Sequence, residues 1–114
     1  MDNERAKFLH DILECIGNIE EYIGEPMQYE NLRSNRMMQQ AVERNLEIIG
    51  EAVKELLLLD KGIAITSARR IVDTRNKISH GYDEVDLPQI WSIIIRHLPV
   101  LKKECADLLA ETTK

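Results

Sequence analysis

The chain has 114 residues, of which 44% are hydrophobic but only 4% aromatic, so leucine and isoleucine must supply the core, and helices are favoured over strands. The net charge of −5 argues against a surface that binds nucleic acid along its whole length, and no apolar run has membrane-spanning length. The charged N-terminus precedes no signal-type apolar core, and Cys15 and Cys105 stand far apart on apolar faces, so we expect a cytoplasmic protein with buried free thiols.

The first two predicted helices carry regular apolar seams. Residues 3–23 repeat apolar side chains at steps of three and four, and Gly24 followed by Pro26 ends this helix. Residues 34–59 repeat in the same way, with Ser34 as the expected N-cap. The seam residues are Leu9, Ile12, Ile16, Ile19 and Ile23 in the first helix and Val42, Leu46, Ile49, Val53 and Leu56 in the second. Such seams predict helices that pack lengthwise in a bundle.

The third predicted helix, over residues 66–79 with Thr66 or Ser67 as its cap, has a thin apolar face and a positive charge. Its charged residues are Arg69, Arg70, Asp73, Arg75 and Lys77. Four cations against one acid concentrate positive charge here inside an acidic protein. Gly81, just after His80, is able to close the helix with a positive φ.

The fourth predicted helix begins after Asp86, a good N-cap, with Pro88 in its first turn. Pro99 interrupts its apolar seam, so we expect a kink near His97 or a break into two helices. The pattern as a whole predicts an all-α protein, an up-and-down four-helix bundle formed by residues 1–114 as a single domain.

The segment 75–82, with the sequence RNKISHGY, holds the densest polar chemistry in the chain. Cleaving RNA without a metal requires a group that removes the 2′-hydroxyl proton or protonates the leaving oxygen, and a cation that stabilises charge on the phosphate. Histidine titrates near neutrality and suits the first role, here His80. Arginine stays charged and matches phosphate geometry, which suits Arg75 to the second role.

The spacing of Arg75 and His80 does not bring them together automatically. They are five residues apart, about 140° around an ideal helix, whereas Asn76 and His80 share a face. Either the arginine reaches round the helix, or the helix unwinds at residues 79–81, or a second copy of the protein completes the site. We favour a combination that includes a dimer.

The same segment resembles the signature of the HepT-like branch of the HEPN superfamily, which is arginine, four to six residues, histidine, any residue and tyrosine. The segment 41–52, AVERNLEIIGEA, is similar to the second-helix segment of that family. The helix order and the fourth helix with its proline and tryptophan also agree. The chain departs from many relatives at residues 63–65, where they carry a tryptophan and it has Ile-Ala-Ile.

The resemblance implies a helical homodimer in which two Arg–His motifs face a shared cleft. It further implies a metal-independent endoribonuclease toxin of a type II/VII-like bacterial toxin–antitoxin system, with no cofactor. The implied antitoxin is a small nucleotidyltransferase that modifies the motif tyrosine, here Tyr82, with AMP. By the same mapping Arg75 and His80 are catalytic, and Asn76 shapes the polar site.

Other residues have weaker assignments. Arg69, Arg70 and Lys77 are candidate RNA contacts, although exposed cations more often form a solvated face or ion pairs. Gly50 inside a helix suggests that another helix approaches closely, and Glu51 beside it is then placed to orient Arg75 or His80. The histidines at positions 10 and 97 are expected to be structural, and no metal spacing is recognisable.

Two alternatives to a nuclease are open at this point. One is a non-catalytic helical dimer that binds a nucleotide or a nucleotidyltransferase partner, which the acidic net charge favours slightly. The other is a scaffold without a site, which leaves the Arg-Asn-x3-His-x-Tyr pattern unexplained and ranks last.

Overall fold

All regular secondary structure in the part of the chain that the structure describes is helical. The computed structural model describes residues 2–66, 68–79 and 87–112, and within these ranges every side chain except those of Asp2, Arg75, Lys77, Ile78, Ser79 and Thr112. The elements are α1 (Asp2–Ile23), α2 (Tyr29–Arg33), α3 (Arg36–Leu59), α4 (Ala68–Ser79), α5 (Leu87–Ser92), a π-helical turn (Ile93–His97) and α6 (Leu98–Thr112). No strand occurs in these ranges, which confirms the predicted all-α class.

Helices α1 and α3 carry the core seams at the predicted positions. All ten predicted seam residues are buried, because steps of three and four keep them on one face of each helix. Gly24 ends α1 with φ +77°, a left-handed conformation that suits glycine as a C-cap. In the bundle α3 packs against both α1 and α4, and α6 packs against α1.

The start of α3 differs from the prediction. Its N-cap is Asn35, whose Oδ1 accepts a hydrogen bond from the backbone N–H of Met38 at 3.0 Å. Ser34, the predicted cap, instead ends the short helix α2, and its hydroxyl donates to the carbonyl of Glu30 at 2.8 Å. Both residue types are good caps, so the sequence did not distinguish them, and the five-residue α2 was not predicted.

Helix α4 begins two residues later than Thr66, which does not cap it. The backbone N–H of Thr66 donates to the Glu104 carboxylate of α6, and its hydroxyl donates to the same carboxylate at 2.6 Å. A charged acceptor makes these hydrogen bonds stronger than neutral ones. The α3–α4 connection is therefore fastened to α6, while Ser67, the other predicted cap, and Asp86, the predicted cap of the fourth helix, lie outside the described residues.

The fourth long element is α5, the π-helical turn and α6 in succession, and the predicted interruption at Pro99 is confirmed. Proline has no N–H and its ring clashes with the carbonyl four residues earlier, so an α-helical ladder cannot pass through it. Just before the proline, the hydrogen bonds span five residues instead of four, as in a π-helix. The N–H of Leu98 donates to the carbonyl of Ile93, five residues back. The seam then continues through Leu101 and the buried free thiol of Cys105.

Candidate functional site

Helix α4 positions the residues on which the sequence prediction depends. Arg75, Asn76 and Lys77 belong to its second half, while His80 and Tyr82 follow it and lie outside the described residues. Of the motif, the structure therefore describes the backbone that carries Arg75 and the whole of Asn76.

The position of Arg75 on α4 follows from the helix backbone. It stands four residues after Ile71 and seven after Ala68, and both of these are buried. Positions four and seven apart share a helix face. The Cα of Arg75 therefore lies on the face of α4 that packs into the bundle, where α3 is the neighbouring helix.

A groove of about 480 Å³ lies between the C-terminal end of α3 and one side of α4. Its polar lining is Lys54, Lys61, Arg69 and Asn76, and its apolar lining is Leu57, Leu58 and Val72. Arg69, Val72 and Asn76 succeed each other at steps of three and four, so one stripe of α4 forms the wall. We call this the α3–α4 groove. Its charged lining residues are all cations.

A second groove, of about 510 Å³, lies on the other side of α4, against α5 and the π-helical turn. Arg70 and His97 contribute to it, together with Asp73, and Arg69 reaches its edge. Burial lowers the pKa of His97, and the positive charges of Arg70 and Arg96 lower it further. His97 shares this groove with Arg70, one of the predicted RNA contacts.

Glu51 lies on α3 and is half-buried, with one carboxylate oxygen fully buried. It lines a hollow between α1 and α3 that Lys7 and Arg44 also line. Gly50 before it is buried in α3, and α4 packs against this helix. The assignment of Glu51 as a residue that orients Arg75 or His80 stays a prediction.

Comparison with known proteins decides the family. The family model described as "Ribonuclease HepT-like" matches residues 12–108, which span the core helices and the whole segment 75–82. The chain belongs to the HepT-like ribonuclease family.

Several curated proteins align with nearly the whole chain. A protein of Methanocaldococcus jannaschii named "Putative RNase MJ1216" is 31% identical over 105 residues, 91% of this chain and 86% of its own. One of Caldanaerobacter subterraneus subsp. tengcongensis named "Putative RNase TTE0752" is 32% identical over 96% of both chains. "Probable ribonuclease HepT" of Thermococcus cleftensis is 34% identical over 90% of this chain and 93% of its own. No solved structure gives a significant match.

The HepT-like family confirms the resemblance drawn from the motif and the expected enzyme class, a ribonuclease. Among the described residues no group of three or more histidine, cysteine, aspartate or glutamate side chains is arranged to hold a metal ion. None of the described helices is both long and apolar enough to span a membrane.

Lys54 and Lys61 were missed as site residues, although the sequence carries a signal for them. The second predicted helix ends in four successive leucines, 56–59, of which the seam uses only Leu56. Leu58 is 72% exposed, and it lies in the groove between these two lysines and α4. Surplus leucines outside a seam, flanked by lysines, indicate a surface that has a use other than packing the core.

Proposed function

We propose that this HepT-like protein is an endoribonuclease toxin of a type II/VII-like bacterial toxin–antitoxin pair, cutting RNA with Arg75 and His80 at a cleft shared by two copies. The family match supports the proposal most directly, because it covers the complete Arg-x4-His-x-Tyr segment. The local charge supports it too, since α4 concentrates cations in a protein of net charge −5.

The two motif residues have complementary roles in this proposal. His80 removes the 2′-hydroxyl proton or protonates the leaving 5′ oxygen, as the 2′ oxygen forms a bond to phosphorus and the bond to the 5′ oxygen breaks. Arg75 stabilises the negative charge that builds on the phosphate oxygens. Asn76 fixes His80 or the substrate, and Glu51 orients Arg75 or His80. None of these steps requires a metal or a cofactor.

Regulation follows from the same motif. We propose that a nucleotidyltransferase encoded beside this gene acts as the antitoxin in the cytoplasm and transfers AMP to the hydroxyl of Tyr82. The phosphate of the added AMP is an anion attached two residues from His80. It therefore competes with the RNA phosphate for Arg75. Homodimerisation supplies the second Arg–His pair and so compensates for the sparse acid–base chemistry of a single motif.

The decisive experiment replaces His80 with alanine. We expect His80→Ala to slow cleavage of a single-stranded RNA about 10²- to 10⁴-fold, the usual contribution of a general acid or base, with helical content by circular dichroism unchanged. His10→Ala is the matched control, because His10 is exposed on α1 and far from the motif in sequence. Wild-type cleavage should persist in EDTA.

Expression in a bacterial host completes this test. Wild type should arrest growth, and both Arg75→Ala and His80→Ala should relieve the arrest. A purified His80→Ala protein that cleaves RNA at the wild-type rate contradicts the assignment, and harmless expression of wild type favours the non-catalytic dimer instead.

A further inference from the structure

Among the lysines whose side chains the structure describes, those of the α3–α4 groove differ from the others in having no ion-pair partner. Lys7 pairs with Asp11 at 3.0 Å, Lys102 with Glu20 and Lys103 with Asp107, each at 3.1 Å. These three are all the lysines outside the groove whose side chains the structure describes. Within the described ranges, by contrast, no carboxylate pairs with Lys54, Lys61 or Arg69. The groove therefore keeps its positive charge uncompensated.

The floor of the groove is apolar, and part of it is open to solvent. Leu58 is 72% exposed, while Leu57 and Val72 are half-buried. An exposed leucine between lysines matches the two chemistries of a single nucleic-acid strand, whose phosphates need cations and whose bases need apolar contact. A duplex, whose bases are stacked and paired, would present mainly its backbone to these side chains.

The groove leads along α4 toward the motif. Its wall runs from Arg69 to Asn76, about 10 Å at the helical rise of 1.5 Å per residue. Asn76 is next to Arg75 in the chain, and His80 stands four positions further along. A strand that lies in the groove is therefore directed along α4 toward the position of Arg75.

We propose that the α3–α4 groove binds the single-stranded RNA that flanks the scissile phosphate, with Lys54, Lys61 and Arg69 contacting its phosphates. Leu57 and Leu58 contact its bases. This inference rests on the proposed ribonuclease function and adds to it two substrate-binding lysines that lie outside the motif, on the preceding helix and the turn that follows it.

The test removes the two lysines together. In the His80→Ala background, which keeps RNA intact, Lys54→Ala/Lys61→Ala should weaken binding of a fluorescent single-stranded RNA measured by anisotropy. Loss of two phosphate contacts on a single strand should make the slope of log K against log salt shallower by about 1.4. With His80 present, the same double variant should raise KM and leave kcat near its wild-type value.

Lys7→Ala/Lys103→Ala is the matched control. It changes the net charge by the same two units, and each of its lysines is an exposed partner of an aspartate four residues away, a kind of pair that contributes little to stability. A general effect of net charge would affect both double variants equally. Only the groove variant should change the salt slope.

The outcomes separate this inference from the proposed function. If wild type cleaves RNA and the groove variant binds and cleaves like wild type, the groove assignment fails while the nuclease stands. If the groove variant loses RNA binding but wild type cuts no RNA, the nuclease fails while the binding site stands. If Leu58→Glu or the groove variant turns a dimer into monomers in sedimentation, the groove is a contact between two copies and the inference is overturned.

Discussion

The interface between α1 and α3 and the surface of α4 are built in opposite ways. The first buries ten seam residues along two long helices, and its polar content is largely the contact of Asn18 with Asn45. The second has a thin apolar face, two exposed arginines and grooves on both sides. Stability is concentrated in the first region, which leaves the second free to keep charges that a core would exclude.

This division predicts that substitutions in the two regions have different consequences. Changes at the α1–α3 interface should alter the free energy of unfolding, with activity lost only through unfolding. Changes on α4 and the adjoining groove should alter RNA binding or cleavage in a protein that remains folded.

The largest effect on stability is expected from Ile49→Ala. Ile49 has no exposed surface, so the substitution loses buried apolar area and leaves a cavity, which costs about 2–5 kcal/mol. Leu58→Ala is the control, because Leu58 is mostly exposed and its truncation should change stability by no more than about 0.5 kcal/mol. Urea denaturation followed by circular dichroism measures both. Equal losses would mean that Leu58 belongs to a packed surface.

A smaller effect is expected from Asn45→Ala. The amide of Asn45 is 7% exposed, donates to the carbonyl of Ala41 at 2.8 Å and accepts from the amide of Asn18 at 3.2 Å. Removing it leaves the half-buried Asn18 amide without this partner, which costs about 1–3 kcal/mol. The exposed Asn3 on α1 provides the control through Asn3→Ala. Unchanged stability of Asn45→Ala would show that water replaces the lost contact at no cost.

The smallest effect concerns the two buried thiols. Burial raises the pKa of Cys15 to about 11 and that of Cys105 to about 12. Because the pKa of each thiol is higher in the folded than in the unfolded chain, the buried thiols contribute to stability. That contribution is fully present below pH 9 and is lost as the pH rises toward the folded pKa values. At pH 10 the lost contribution of each thiol should lower the free energy of unfolding by on the order of 1 kcal/mol.

The pH dependence is measured by denaturation between pH 8 and pH 10.5 against a Cys15→Ala/Cys105→Ala variant. That variant should be less stable throughout but should lose less stability over this interval. Parallel curves for the two proteins would contradict the burial of the thiols, as would rapid alkylation of the folded wild type.

The sequence predicted the α1–α3 region almost residue by residue, since a buried seam leaves a periodic pattern. It placed Pro99 as the point of interruption because proline has one unavoidable effect on a helical ladder. Local choices between equivalent residues were less predictable, so Asn35 rather than Ser34 caps α3. Thr66 contacts Glu104, which is 38 positions away, and no local pattern signals such a contact.

The candidate site was predicted differently. Arg75 and His80 were found through the motif, whereas Lys54 and Lys61 contribute through tertiary packing of α3 against α4. Each of these lysines alone is an ordinary surface residue, and only the folded chain shows that they share a groove with Arg69. A single sequence contains the motif, but it does not show how close α3 and α4 lie in the folded chain.

The π-helical turn sets the rotational phase of the final segment. Ile93 and Leu98 are five residues apart and both buried. In an α-helix, side chains five residues apart point about 140° away from each other around the axis. Removing one residue from 93–97 would restore an ordinary turn and rotate α5 by about 100° relative to α6, turning the buried Ile90 toward solvent. This stretch therefore tolerates exchange of side chains far better than a change in length, and a single-residue deletion here should reorient α5 relative to the rest of the bundle.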